Sequence, residues 1–194
     1  MTEPATQPPT PAERFTSLVM HLARLLDDAH DASLPRGDIA ALRREDGATS
    51  PAFYKLAAIV FDDDFLPRSN ALRDEAERRW ARVAHLLARS GGQHVLGAAR
   101  SLGAALAQAE LAEPRLLRLL RSEGESLDVA ARAAIAPLVQ KAVPFDPRDL
   151  AALLLSAPHA GGRFHHEDGE SVRRRVARDY YRATAKGEGE AKSS

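Results

Sequence analysis

The sequence predicts an all-α protein of about nine helices in two small helical bundles, and three observations carry that reading. Its 25 leucines stand against 9 valines and 3 isoleucines, and alanine is plentiful; Leu and Ala favour helices, whereas β-branched residues favour strands. Apolar residues recur at helical spacing, and Ser-Pro, Asp-Pro and Gly-Gly pairs punctuate the runs where helices start and stop. No stretch alternates with period two between hairpin turn signals, so sheet content close to nil is expected.

Taken in order, residues 1–11, with four prolines and three threonines, read as a disordered tail. A first helix is expected from about Ala12 to Ala29, with Phe15, Leu18, Val19, Leu22, Leu25 and Leu26 on one stripe. Leu34-Pro35 breaks the chain, and a short helix follows from Gly37 to Glu45. Ser50-Pro51 reads as an N-cap with proline at the first helical position, opening a helix through Phe53, Leu56, Ala57 and Val60. Asp62-Asp63-Asp64 and Pro67 mark a loop. Ser69 opens the longest predicted helix, to about Ser90, with Leu72, Ala76, Trp80, Val83 and Leu87 inward and Gly91-Gly92 as its stop. A small-residue helix is expected from Val95 to Leu111. Gly103 in its middle costs about 1 kcal/mol against alanine, which close packing of a neighbouring helix compensates. Glu113-Pro114 begins a helix to Ser122, and Ser126 begins another to Ala142, interrupted by Pro137. Asp146-Pro147 caps a helix through Leu155, Pro158 to Asp168 reads as loop, and a last helix runs from Glu170 to Thr184. The predicted division is 12–111 for an N-terminal bundle, 112–185 for a C-terminal one, and a loose tail at 186–194.

The absence of cysteine removes disulfide frameworks, thiol nucleophiles and cysteine-type zinc sites. No apolar run approaches the roughly 20 residues that span a bilayer, and residues 1–11 lack the basic start and apolar stretch of a signal peptide. A cytoplasmic protein is expected, with no membrane partner.

Lys+Arg and Asp+Glu both total 27, so net charge gives no argument for a polyanionic partner. The basic set, however, is 23 arginines against 4 lysines. A GC-rich genome produces such a bias by itself, so only the placement of the arginines bears on function. At roughly 100° per residue, Leu116, Leu117, Leu119 and Leu120 cover one arc of their helix and Arg115, Arg118 and Arg121 the opposite arc. Burying the leucines presents the three guanidinium groups together. The last helix repeats the pattern: Val172, Val176 and Tyr180 inward, Arg174, Arg175, Arg178 and Arg182 on the far side, with only Asp179 interleaved. Arg43 and Arg44 end the second helix, and Arg68 follows Pro67 in a loop. Such faces are either solvated surface or a footprint for nucleic acid. Aromatics are only 5%, and Phe15, Phe53, Trp80 and Tyr180 fall on apolar stripes. Single-strand gripping by base stacking is thus poorly supplied, and any binding is expected to use phosphates, blind to sequence and sensitive to salt.

Candidate chemistry is thin. His165-His166-Glu167-Asp168 places adjacent residues that do not share a helix face, and no second His/Asp set has metal-ligand spacing. His30-Asp31 and Arg36-Gly37-Asp38 are bare short motifs, and Asp62 to Asp64 reads as a solvated turn before a Mg²⁺ site. No phosphate-cradling glycine loop, HExxH or GxSxG occurs. No catalytic residue, metal or cofactor is expected.

Three blocks resemble the CasB family, the small subunit of the type I-E CRISPR surveillance complex Cascade. They are Leu42-Arg43-Arg44 followed by Ser50-Pro51-Ala52-Phe53-Tyr54-Lys55-Leu56; Ser101-Leu102-Gly103-Ala104-Ala105-Leu106-Ala107 followed by Glu113 to Arg121; and Arg173 to Tyr181. The resemblance implies an all-α fold of two small bundles and no enzymatic activity. It also implies two copies lying head to tail against the backbone subunit, beside the large subunit, where they steady the CRISPR RNA–target DNA duplex and the displaced strand of the R-loop. The positions it carries over are Arg43, Arg44, Lys55, Arg68, Arg115 and Arg121; Arg118, Arg174, Arg175 and Arg178 rest on the helix-face argument. A helical adaptor whose arginines pair with other subunits is the alternative.

Overall fold

In the computed structural model, residues 9–27, 34–44, 50–61, 69–94, 100–156 and 168–191 are described. Helix α1 (Pro11–Leu25) starts one residue earlier than expected, because Thr10 and Glu13 form a reciprocal cap. The Glu13 N–H donates to Thr10 Oγ1 at 3.3 Å and the Thr10 N–H to Glu13 Oε2 at 2.7 Å, satisfying two of the orphan donors at the helix start. Helices α2 (Arg36–Arg44) and α3 (Pro51–Val60) follow. The Phe53 N–H donates to Ser50 Oγ at 3.1 Å, so Ser50-Pro51 is the cap read from the sequence. Helix α4 (Asn70–Arg89) ends at Gly91 and Gly92, whose φ of +59° and +81° only glycine adopts without strain.

Helix α5 (Leu102–Gln108) is shorter than the expected 95–111. Ser101 caps its start, and its end turns at Glu110, which takes a φ of +56°. Helices α6 (Glu113–Arg121), α7 (Gly124–Gln140) and α8 (Pro147–Leu155) complete the middle of the chain. Pro137 does not interrupt α7. It lies in the last turn, where a missing N–H costs one bond, and Ala133, whose carbonyl loses that bond, is exposed to water. The Arg148 N–H donates to Asp146 Oδ1 at 2.9 Å, the N-cap expected at Asp146-Pro147. Helix α9 (Gly169–Ala191) spans 23 residues; it, not α4, is the longest described, and it continues past Thr184. Among the described residues the sole bridge pairing outside helices joins His94 and Phe145, and no helix is long and apolar enough to cross a membrane.

Buried apolar residues from Phe15 to Tyr180 form one contiguous cluster. Helix α5 packs chiefly on α9, α1 and α4 pack on α8, α2 lies on α4, and α6 lies on α7. The α5–α9 seam is the tightest: a Cβ added at Gly103 would stand 2.1 Å from the Val176 carbonyl oxygen. The glycine expected to admit a neighbouring helix does so. Phe15, Phe53, Trp80, Val172, Val176 and Tyr180 are all buried as the stripes require. Leu72, expected inward, is 42% exposed. Residues 69–74 are exposed throughout, so the first turns of α4 project beyond the core.

Candidate nucleic-acid interface

Helix α6 carries the clearest basic face. Leu116 and Leu119 are buried, Leu117 and Leu120 half-buried, and Arg115, Arg118 and Arg121 exposed. Burial of the leucine arc orients the helix, and the arginines, at i, i+3 and i+6, follow as one row along its outer side. No carboxylate of the described residues forms an ion pair with any of the three. Like charges so spaced repel, a small cost that a bound polyanion removes.

Helix α9 passes α6 in the opposite direction. At one end Arg173 Nη2 donates to the Ser122 carbonyl at 3.4 Å, and at the other the Tyr181 hydroxyl donates to Glu113 Oε1 at 2.6 Å. Arg173 and Tyr181 thus face α6, while the other arginines of α9 are compensated within the chain. Arg174 pairs with Glu170 at 3.2 Å, one turn away. Arg178 and Arg182 share Asp179, at 3.6 and 4.0 Å. Arg175 reaches the buried Asp149 of α8 at 2.8 Å, and the same carboxylate accepts the Leu102 N–H at 3.2 Å. Asp149 thus ties the starts of α5 and α8 to the middle of α9, and Arg175 serves that joint. The sequence reading counted only Asp179 on this face; Glu170 and Asp149 were missed.

A second basic group lies on α2 and α3, which pack against α1 and α4. Arg43 is half-buried and its Nε donates to the Ala88 carbonyl of α4 at 2.8 Å, pinning the C-terminus of α2. Arg44 is exposed, with Nε on the Ala40 carbonyl of its own helix at 3.2 Å. Lys55 pairs with Asp38 at 2.9 Å. Arg68 lies outside the described residues, as do Asp62 to Asp64, His30-Asp31 and the His165-His166-Glu167 segment. The structure thus sets Arg115, Arg118 and Arg121 in one row beside α9; Arg43 and Arg44 stand at the C-terminal end of α2, while Lys55 of α3 is held near the start of α2 by Asp38 and does not join them.

Little in the described residues suits chemistry. No group of three His, Asp or Glu side chains among them could hold a metal ion. A cavity of about 290 Å³ between α4 and α7 is walled by Arg82 and Arg132 but equally by Glu125 and Asp128, and Arg82 pairs with Asp128 at 2.9 Å. Its charges cancel inside the chain.

The described residues form a helical scaffold that carries a leucine-backed row of exposed arginines on α6. Among solved structures, CasB from Thermus thermophilus shares the fold with a TM-score of 0.60 and 26% identity, over 90% of this chain and 100% of that one. The sequence profile of the CRISPR-associated protein Cse2 family matches residues 38–181, most of the chain, and the protein belongs to that family. Curated protein sequences gave no match. Membership makes the chain a small subunit of a type I-E Cascade complex, in a family not known as an enzyme.

Proposed function

We propose that this subunit steadies the R-loop of its complex through sequence-independent contacts to phosphates, including those of the displaced strand. The observation that carries the reading is the row Arg115, Arg118 and Arg121: exposed, aligned and without carboxylate partners among the described residues. Guanidinium forks suit phosphate oxygens. R-loop opening is a near-balanced exchange of base pairs that backbone contacts tip. Arg44 is the next contributor, and Arg43, Lys55 and Arg68 add further phosphate contacts in this reading. Arg174 and Arg178 contribute by exchanging weak surface carboxylate contacts for phosphate. Arg175 acts by holding α9 in place. In this reading the protein works in the cytoplasm, against the backbone and large subunits, beside a second copy of itself, on CRISPR RNA and target DNA.

The test replaces Arg115, Arg118 and Arg121 with alanine together. For single-stranded DNA, affinity falls with salt at about 0.7 of a log unit per phosphate contacted, so losing three contacts flattens the log–log slope by about 2. Cascade assembled with the variant should open target DNA less completely at physiological salt. An unchanged slope and unchanged R-loop yield would end the proposal. A purely protein-binding adaptor is the second reading, favoured by the paired state of Arg174 and Arg178; under it, salt leaves DNA binding unaltered and the variant fails to enter the complex.

A further inference from the structure

Tyr181 follows the buried Tyr180 on α9, and one residue of helix turns its ring about 100° around the axis, out of the core; the side chain is 43% exposed. Exposed aromatic rings are commonly free rotors, and this one is held in two places. Its hydroxyl donates to Glu113 Oε1 at 2.6 Å, a charge-assisted bond to the first residue of α6. The ring of Tyr180 stands edge-on to it, with centroids 5.4 Å apart and planes at 89°. Tip and neighbour fix the plane, and what remains is offered to solvent at the junction of α6 and α9. The hydrogen bond to Glu113, then burial and the Glu113 charge, push the phenol above its ordinary value of 10.0. Through its bond to Glu113 the ring stands at the N-terminal end of α6, two residues from Arg115, the first arginine of the row.

We propose that Tyr181 is a stacking platform for one unpaired nucleobase of a single strand whose phosphates follow the α6 arginines. The inference rests on the phosphate reading above and adds the strand type, because in a duplex the neighbouring bases already cover each base face. A pre-set aromatic plane loses little freedom on stacking, and every base has a face to offer, so sequence remains unread.

The experiment compares fluorescence anisotropy of the full chain with oligothymidylate of about ten nucleotides, within the usual span of single-strand sites, and with an abasic strand of the same phosphate number, at low salt. Wild type should bind the thymidylate about fivefold more tightly, the low end of one stacked base. Y181A should bring the two strands to parity with abasic affinity unchanged. Y181F, which keeps the ring, should keep the preference. Parity in wild type overturns the proposal, and so does a preference that survives Y181A. Equal loss in Y181F would assign the effect to the Glu113 tether and overturn it too. If neither strand binds, the phosphate reading itself has failed and stacking falls with it.

Discussion

Substituting Gly103 by alanine tests the α5–α9 seam more sharply than any other single change. In an exposed helix the exchange gains about 1 kcal/mol. Here the added carbon would lie 2.1 Å from the Val176 oxygen, 2.9 Å from the Tyr180 nitrogen and 3.0 Å from the Val176 carbonyl carbon. All three are backbone atoms, which cannot swing aside as a side chain does. Restoring ordinary separations of about 3.5 Å requires the helices to part by about 1.4 Å at the closest contact. Overpacking a close-fitted core costs 1–3 kcal/mol, and the rigidity of the obstacle places this case at about 3. Subtracting the propensity gain leaves about 2 kcal/mol of destabilisation, or a Tm lower by about 4–8 °C for a chain of this size. Circular dichroism at 222 nm during heating measures it. Gly37→Ala is the internal control, since nothing lies within 4 Å of the carbon it would add, and it should melt at or above wild type. A G103A protein as stable as wild type would show that the seam is not the close contact described.

Arg175→Ala strands the Asp149 carboxylate with a single N–H partner. Breaking a buried pair costs 3–5 kcal/mol, and partial solvation of this one lowers the figure to about 2. Tm should fall by about 4–8 °C, whereas replacing Arg115, Arg118 and Arg121 should leave Tm level or slightly raised; an R175A melt at wild-type temperature would remove the joint assigned to Asp149. Burial pushes the Glu75 carboxyl up, but hydrogen bonds and charge from Arg78 and Arg79 outweigh it and hold it below its ordinary 4.5. Ionised Glu75 therefore adds stability above that value, and the gain is lost as pH falls through the depressed one. Urea midpoints of wild type and E75Q should differ at pH 7 and converge near pH 2; a gap independent of pH would contradict the pairing.

Periodicity made most of the helices legible, because burial of Leu116, Leu119, Val172 and Val176 follows from spacing alone. Ser50-Pro51 and Asp146-Pro147 were readable because a capping side chain acts within three residues of itself. Gly103 was readable because an uncompensated mid-helix glycine demands a reason. Leu72 was not: periodicity gives the side of a helix, and only tertiary structure says how far along that side the core extends. The arginine faces divide on the same ground. Glu170 stands four residues before Arg174 and was open to the i, i+4 rule, but Asp149 is 26 residues from Arg175, and no local pattern joins them. Tyr181 escaped notice because aromatics were weighed as core, although its place one residue after Tyr180 already turned it outward.

The interlock at Gly103 also bears on synthesis. Helix α5 emerges from the ribosome long before α9, its intended cover, has been translated. Until then Leu102, Ala105 and Leu106, all buried in the finished protein, lack that shelter, and Leu111 lacks the Tyr180 hydroxyl that donates to its carbonyl at 2.5 Å. A nascent chain halted before residue 172 therefore exposes a sticky apolar strip in the middle of its length, the kind of surface chaperones and proteases recognise. The polypeptide acquires its protection late, when its far end returns to close over a segment made some seventy residues earlier.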